Sequence, residues 1–250
     1  KPYKVEITEV TDENGDGRID LSDVEYLMRN KKNTMTLLEG DGDFRSPECV
    51  ELLKEADIVV TNPPFSLFRD YVALLMQYNK QFAIIGNQNA ITYREIFPLI
   101  KSNKIWLGYN NGHYWFMVPD SYEEKKTDFK IDESGQKWRR MGNICWFTNL
   151  DIEKRHENMT LFRTYSLDIY PKYDNYDAIE VSKTADIPCD YDGYMGVPIT
   201  FMQYYNPEQF EIAGLDDHRV EWVGHGPRLN GKVKYRRVII RRKQVNTNEN

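Results

Sequence analysis

Apolar and polar residues alternate from Tyr3 to Val10, the two-residue period of a half-buried strand. A polar, acidic stretch with glycines runs from Asp12 to Asp23, and Val24 to Asn30 then reads as a short helix capped by Ser22 or Asp23. Thr34 to Leu38 is predicted as a strand that ends in the turn Glu39-Gly40-Asp41-Gly42-Asp43-Phe44. Ser46 to Glu55 is predicted as a helix, with Ser46 capping, Pro47 at the first helical position and Glu48 in the first turn. The apolar run Ile58-Val59-Val60, within a strand predicted over Ala56 to Thr61, has the character of a strand buried in a parallel sheet. It leads straight into Asn62-Pro63-Pro64-Phe65. Leu67 to Tyr78 then places Leu67, Tyr71, Leu74, Leu75 and Tyr78 at helical spacing. Phe82 to Gly86 reads as a buried strand, Thr92 to Lys101 as a helix and Lys104 to Tyr109 as a strand. Strands alternating with helices at this spacing predict a doubly wound α/β sheet.

Past Gly112 the pattern turns aromatic and hairpin-like, in Tyr114-Trp115-Phe116-Met117-Val118 and again from Gly142 to Asn149. Asp168 to Asp192 is rich in Tyr, Asp and Pro, and Val233 to Arg241 alternates as a late strand would. No internal repeat and no long linker interrupts the chain.

Composition narrows the class. At 250 residues, with 40% apolar and 29% charged side chains, the chain fits one large domain or one domain with an extension. No apolar run approaches the roughly 20 residues that span a bilayer, so no membrane association is expected. Cys49, Cys145 and Cys189 are scattered and form no CxxC pair, which argues against a disulfide scaffold or a zinc site and fits a reducing cytoplasm. The sequence opens on Lys1-Pro2-Tyr3, without Met and without a signal segment, and residues upstream of it are expected. The formal net charge of −6 is unevenly spread: Arg219 to Asn250 holds nine Lys/Arg against two Glu, whereas Lys1 to Val60 holds eight basic against fifteen acidic residues. A basic end can meet a phosphate backbone locally or can be a solvated tail.

The chemistry concentrates at Asn62-Pro63-Pro64-Phe65. In an α/β sheet, ligands bind beyond the carboxyl ends of the strands, where this tetrapeptide lies. Two consecutive prolines have no N–H and cannot join a ladder, so the loop's carbonyls point elsewhere. The Asn62 side-chain oxygen and the Pro63 carbonyl can accept the two hydrogens of an exocyclic amine while Phe65 stacks on its ring. Holding both hydrogens pushes the nitrogen toward tetrahedral geometry and aims its lone pair at an electrophilic methyl group. Such a reaction needs positioning and electrostatics rather than a strong base.

This arrangement resembles the catalytic loop of amino-methyltransferases acting on DNA adenine or cytosine, which reads Asp/Asn/Ser-Pro-Pro-Tyr/Phe after a buried strand. The likeness extends to the EcoRI-type adenine-specific modification methylases. It is carried by Gly42-Asp43-Phe44-Arg45-Ser46 through Phe65-Ser66-Leu67-Phe68-Arg69, by Ile85-Gly86-Asn87-Gln88-Asn89-Ala90-Ile91-Thr92-Tyr93, by Trp146-Phe147-Thr148-Asn149-Leu150-Asp151 and by Gly193 to Phe201, over roughly residues 40–215. The resemblance implies a Rossmann-like methyltransferase sheet lacking its N-terminal part, with an aromatic, hairpin-rich C-terminal region. It implies S-adenosylmethionine as cofactor, Asp43 accepting from the cofactor's adenine amine and Phe44 packing on its ring. It also implies methyl transfer to N6 of adenine in double-stranded DNA by Asn62, Pro63, Pro64 and Phe65, with a cognate restriction endonuclease acting on the same site. The chain departs from the wider pattern in having neither a glycine-containing cofactor loop nor a ribose-binding acid upstream of Asp43. That half of the site is expected upstream of Lys1. The expected division is 1–36 as an N-terminal segment, 37–150 as the catalytic core and 151–250 as a DNA-recognition region.

A second motif competes. Asp12, Asn14, Asp16, Arg18, Asp20 and Asp23 take the ligand positions of a calcium loop, with Gly17 at the turn and Ile19 as its apolar residue. Asp23 replaces the usual bidentate Glu, and a solvated acidic hairpin is the other reading. Two alternative functions therefore remain open: amino-methylation of cytosine, RNA or protein glutamine, and a non-enzymatic calcium-dependent adhesion or scaffold module. His113, His156, His218 and His225 show no ligand spacing and suit surface or hydrogen-bonded roles. Tyr170, Tyr173 and Tyr176 suit packing. Arg236, Arg237, Arg241, Arg242 and Lys243 suit phosphate contacts.

Overall fold

A computed structural model describes residues 1–29, 34–215 and 226–243, with the side chains of 34 and 110–113 excluded. Asn30, His218 and His225 lie outside the described residues, as does the side chain of His113. The chain divides into two compact units, Lys1–Asp57 and Ile58–Asn250, with the boundary inside the span expected to be catalytic.

In the first unit, β1 (Tyr3–Glu6) pairs antiparallel with β2 (Thr34–Leu37). Between them lies α1 (Leu21–Arg29), which starts three residues earlier than predicted. The cap is Asp20, not Ser22 or Asp23. The Asp20 carboxylate accepts from the Ser22 N–H at 2.8 Å, and Asp23, three residues on, reaches back to accept from the Asp20 N–H at 2.8 Å. This reciprocal arrangement is a capping box with Asp in both roles. α2 (Pro47–Glu55) follows as predicted, with the Ser46 hydroxyl accepting from the Cys49 N–H and Pro47 in the first turn.

The second unit opens with β3 (Ile58–Thr61), α3 (Phe68–Gln77), β4 (Gln81–Asn87) and α4 (Phe97–Lys101), then β5 (Trp106–Met117), β6 (Phe129–Ile131) and β7 (Lys137–Thr148). Their strands form a sheet in the order β3-β4-β7-β5, with β6 paired to β7. β3 and β4 run parallel, whereas β7 is antiparallel to both β4 and β5. The unit continues with β8 (Ala178–Glu180), β9 (Tyr194–Val197), β10 (Phe210–Leu215), β11 (Arg228–Leu229), β12 (Lys232–Val233) and β13 (Val238–Arg242). Four of these make a second sheet in the order β10-β13-β9-β8, and β11 and β12 form a separate hairpin. The protein is thus a mixed α/β structure with several sheets, and its described helices include none long and apolar enough to cross a membrane.

Three local expectations change. β3 is an edge strand that leaves Ile58 and Val60 exposed, because β4 is its only strand neighbour among the described residues. α3 buries Phe68, Val72 and Leu75, a face one residue round from the predicted stripe. The helix predicted over Thr92 to Lys101 shortens to α4, because Pro98 has no N–H to donate within a helix interior and sits in the first turn instead. The core is formed by α3, by Phe82 and Ile84 of β4, by Cys145 and Phe147 of β7 and, in the second sheet, by Ile179, Met195, Phe210 and Ile239. All three cysteines are free.

Candidate active site

The loop after β3 forms because Pro63 and Pro64 end the ladder. Pro64 then caps a 3-10 turn over Phe65–Leu67, with the Leu67 N–H donating to the Pro64 carbonyl at 2.9 Å. α3 continues directly from that turn and is anchored by Phe68, whose ring lies 5.0 Å from that of Phe147. Gly86 makes this anchor possible. A Cβ there would stand 2.6 Å from the Phe68 ring and 2.8 Å from Phe147, so only glycine lets β4 approach so closely.

The outcome is a loop with unused acceptors. Asn62 is exposed and Pro63 is buried, and neither the Asn62 side chain nor the Pro63 carbonyl makes a hydrogen bond among the described residues. Phe65 is 41% exposed and lines a cavity of 650 Å³ with Ser66, Arg69, Thr92, Tyr93, Arg94 and Glu95. Arg69 lies over the Tyr93 ring at 5.7 Å and pairs with Glu95 at 3.9 Å. Arg236 reaches this wall from far along the chain and donates to the Thr92 hydroxyl at 2.8 Å. The cavity therefore offers an aromatic face, a second ring and several cations. Motif reading singles out Asn62, Pro63, Pro64 and Phe65 but not Tyr93, Arg69 and Arg236 as neighbours of that loop. Only the topology brings these groups together.

Asp43 and Phe44 lie in the turn before α2, in the first unit. The Asp43 carboxylate accepts from the Arg45 backbone N–H at 2.8 Å, from its Nε at 2.9 Å and from its Nη2 at 2.7 Å. These bonds, the guanidinium first, hold the carboxyl down at about 2. A carboxylate has about four acceptor sites, so one remains on Oδ2 for a single amine donor. Phe44 carries the Arg45 guanidinium 5.3 Å from its ring centroid. The Asp43 carboxylate thus keeps one acceptor site next to Phe44 in the chain, and Arg45 emerges as the residue that fixes that carboxylate.

The acidic loop is organised differently from a cation cage. Asp12 accepts from the backbone N–H groups of Gly15, Asp16 and Gly17, and Asp16 accepts from Arg18. Asn14 donates to Ser22 at 2.7 Å. Asp23 is buried and accepts from Glu13, Asn14 and Asp20, and the Asp20 bond in particular keeps its carboxyl below the usual range. Among the described residues no group of three or more His, Cys, Asp or Glu could hold a metal ion. Asp12, Asn14, Asp16, Asp20 and Asp23 thus accept in a succession of side-chain-to-backbone turns, to which Arg18 contributes its backbone N–H.

The basic end needs correction. Arg237 is buried and forks onto Glu180, with Nη2 at 2.5 Å and Nε at 3.1 and 3.2 Å from the carboxylate oxygens. Burial pushes the Glu180 carboxyl up, but hydrogen bonds from Arg237 and Tyr173 outweigh it and leave it lowered. Arg241 pairs with Glu211 at 2.7 Å, and Arg242 pairs with Asp192 at 3.0 Å and donates to the Cys189 carbonyl. Arg237 is thus committed to the interior of the second sheet and is not free for a phosphate, whereas Arg241 and Arg242 are paired at its solvent-exposed surface. Tyr170 and Tyr173 are buried and serve packing. His156 bonds Asp151 at 2.8 Å, which raises its pKa.

The family described as adenine-specific methyltransferase EcoRI matches residues 1–243. The Type II methyltransferase M.EcoRI of Escherichia coli is 51% identical over 214 residues, covering 82% of this chain and 64% of that protein. M.MgeORF184P of Mycoplasma genitalium is 42% identical over 88% of this chain and 75% of its own length. M.MpnI of Mycoplasma pneumoniae is 41% identical over 83% and 70%. The chain thus spans just under two thirds of the Escherichia coli relative. No solved structure matches it.

Proposed function

Because the chain belongs to the EcoRI adenine-specific methyltransferase family, we propose that it takes part in methyl transfer to the N6 amine of adenine in double-stranded DNA, as restriction-modification methylases do. The observation that carries this reading is the pair of unused acceptors on Asn62 and Pro63 beside the half-exposed ring of Phe65. The five-stranded sheet serves as part of a Rossmann-like methyltransferase sheet, with 37–150 as the catalytic region and 151–250 as the DNA-recognition region. DNA is the partner, with a cognate endonuclease acting on the same site.

S-adenosylmethionine supplies a methyl group made electrophilic by a positive sulfur; Asp43 and Phe44 would hold its adenine. The target adenine leaves the duplex stack, as base-modifying enzymes require, and Phe65 stacks on it. Asn62 Oδ1 and the Pro63 carbonyl accept the two N6 hydrogens and turn the nitrogen lone pair outward. As the N6–C bond formed and the carbon–sulfur bond broke, its electron pair would stay on sulfur as a neutral thioether and the amine would become cationic, with the two acceptors stabilising that charge where it develops. One N6 proton then passes to solvent and the methylated amine is left neutral. The test is transfer of labelled methyl to duplex DNA followed by nucleoside analysis. Label in N6-methyladenine is the expected result; label in cytosine, RNA or protein alone would replace this reading.

A further inference from the structure

A second cavity has a volume of 810 Å³. Its lining includes Gln88, Asn143, Phe162, Lys183, Gln203 and Tyr204. Gln88 is only 6% exposed, yet its Nε2 has no hydrogen-bond partner among the described residues. Two other amides in this unit are satisfied: Asn206 Nδ2 donates to the His156 carbonyl at 3.2 Å and to Asn158 Oδ1 at 2.9 Å, and Asn149 Nδ2 donates to the Lys80 carbonyl at 2.8 Å. A buried amide donor left without an acceptor is costly, and such a group calls for an explanation. Around the opening, Phe162 is 81% and Tyr204 51% exposed, and Lys183 has no ion-pair partner among the described residues.

We propose that this cavity binds one nucleotide of the DNA substrate, read by Gln88, which rests on the methyltransferase reading above. The unpartnered Nε2 donates to an acceptor on the base edge, Phe162 and Tyr204 offer faces for the ring, and Lys183 meets the adjoining phosphate. A glutamine amide matches a purine edge well, adenine N6 and N7 above all. Because Gln88 is buried, the base must be unstacked to reach it. Gln88 and Thr92 are the two ends of one 3-10 segment, and Thr92 lines the cavity that holds Phe65. At about 2 Å of rise per residue, these ends stand about 8 Å apart. The nucleotide read by Gln88 is therefore close in the strand to the one stacked on Phe65.

The experiment selects duplexes from a randomised library by binding to the whole protein, sequences the bound pool and separately maps which adenines become methylated. Gln88→Leu should leave the melting temperature unchanged or raised, since it removes an unpartnered polar group. It should weaken preference at one position of the selected sequence by about 5- to 150-fold, leaving other positions intact. Lys183→Gln and Tyr204→Ala are surface changes that test the same cavity. The former should weaken all duplexes alike and lower the salt slope by about 0.9; the latter should weaken binding of the selected duplex. Adenosine monophosphate should compete only weakly, whereas equal competition by the free nucleotide would assign the cavity to a small-molecule ligand and overturn the proposal. An unaltered selected sequence in Gln88→Leu, or loss of fold in that variant with no DNA effect in the other two, would also overturn it. Absence of methyl transfer by a wild-type protein that still selects a sequence would count against the enzyme reading alone.

Discussion

Replacing Arg237 with Ala should destabilise the second unit without selectively weakening DNA binding. Glu180 retains 4% and Arg237 11% of side-chain exposure, and three close contacts join them. Tyr173 adds a hydrogen bond from the other side of the same carboxylate. Truncating the arginine leaves a buried charge without its counter-ion, a loss that typically costs about 3–5 kcal/mol. For a unit of this size each kcal/mol moves the melting temperature by about 2–4 °C, so the expected fall is roughly 6–20 °C. Circular dichroism melting reads it directly. Arg237→Met combined with Glu180→Leu should recover much of the loss, because an apolar pair of similar volume removes both charges together. A variant Arg237→Ala that melts like the wild type and instead lowers the salt slope of DNA binding would refute this reasoning.

Gly86→Ala should destabilise by about 1–3 kcal/mol through overpacking, with reduced methyl transfer because the displaced Phe68 ring opens the Asn62–Phe65 turn; thermal melting and turnover together check it. Millimolar calcium should leave the melting curve unmoved, whereas Asp23→Ala should lower it, since that carboxylate receives three backbone N–H groups. His156 has its pKa raised above 6.5 by Asp151. Its contribution to stability is therefore complete below about 6.5 and lost as pH rises through the raised folded value. The melting-temperature advantage of the wild type over His156→Gln should shrink across that range.

Local chemistry was readable where one short segment determines it. The Ser46-Pro47 start of α2 and the strand before Asn62 follow from caps, prolines and an apolar run. The burial of that strand did not, because an apolar run says nothing about how many neighbours a strand receives, and β3 has an exposed edge. The arginines of the C-terminal stretch looked alike in sequence. Only their partners separate them: Arg237 faces a buried glutamate, and Arg236 reaches Thr92, 144 residues earlier in the chain. The acidic loop carries a ligand-like spacing because aspartates that cap turns and aspartates that bind cations favour the same alternation around glycine. Gln88 belonged to a family-like stretch but had no role of its own until its burial and its unpartnered nitrogen were visible together.

The most direct measurement is methyl transfer to duplex DNA by Asn62→Ala, with melting and DNA affinity recorded on the same protein. Asn62 is exposed and makes no hydrogen bond among the described residues, so its loss should leave the fold intact. Removing one preorganised acceptor from the reacting amine should lower turnover by about 100- to 1,000-fold, with DNA affinity little changed. Turnover close to wild type in a folded Asn62→Ala protein would contradict the account, because the loop would then have no hold on the amine.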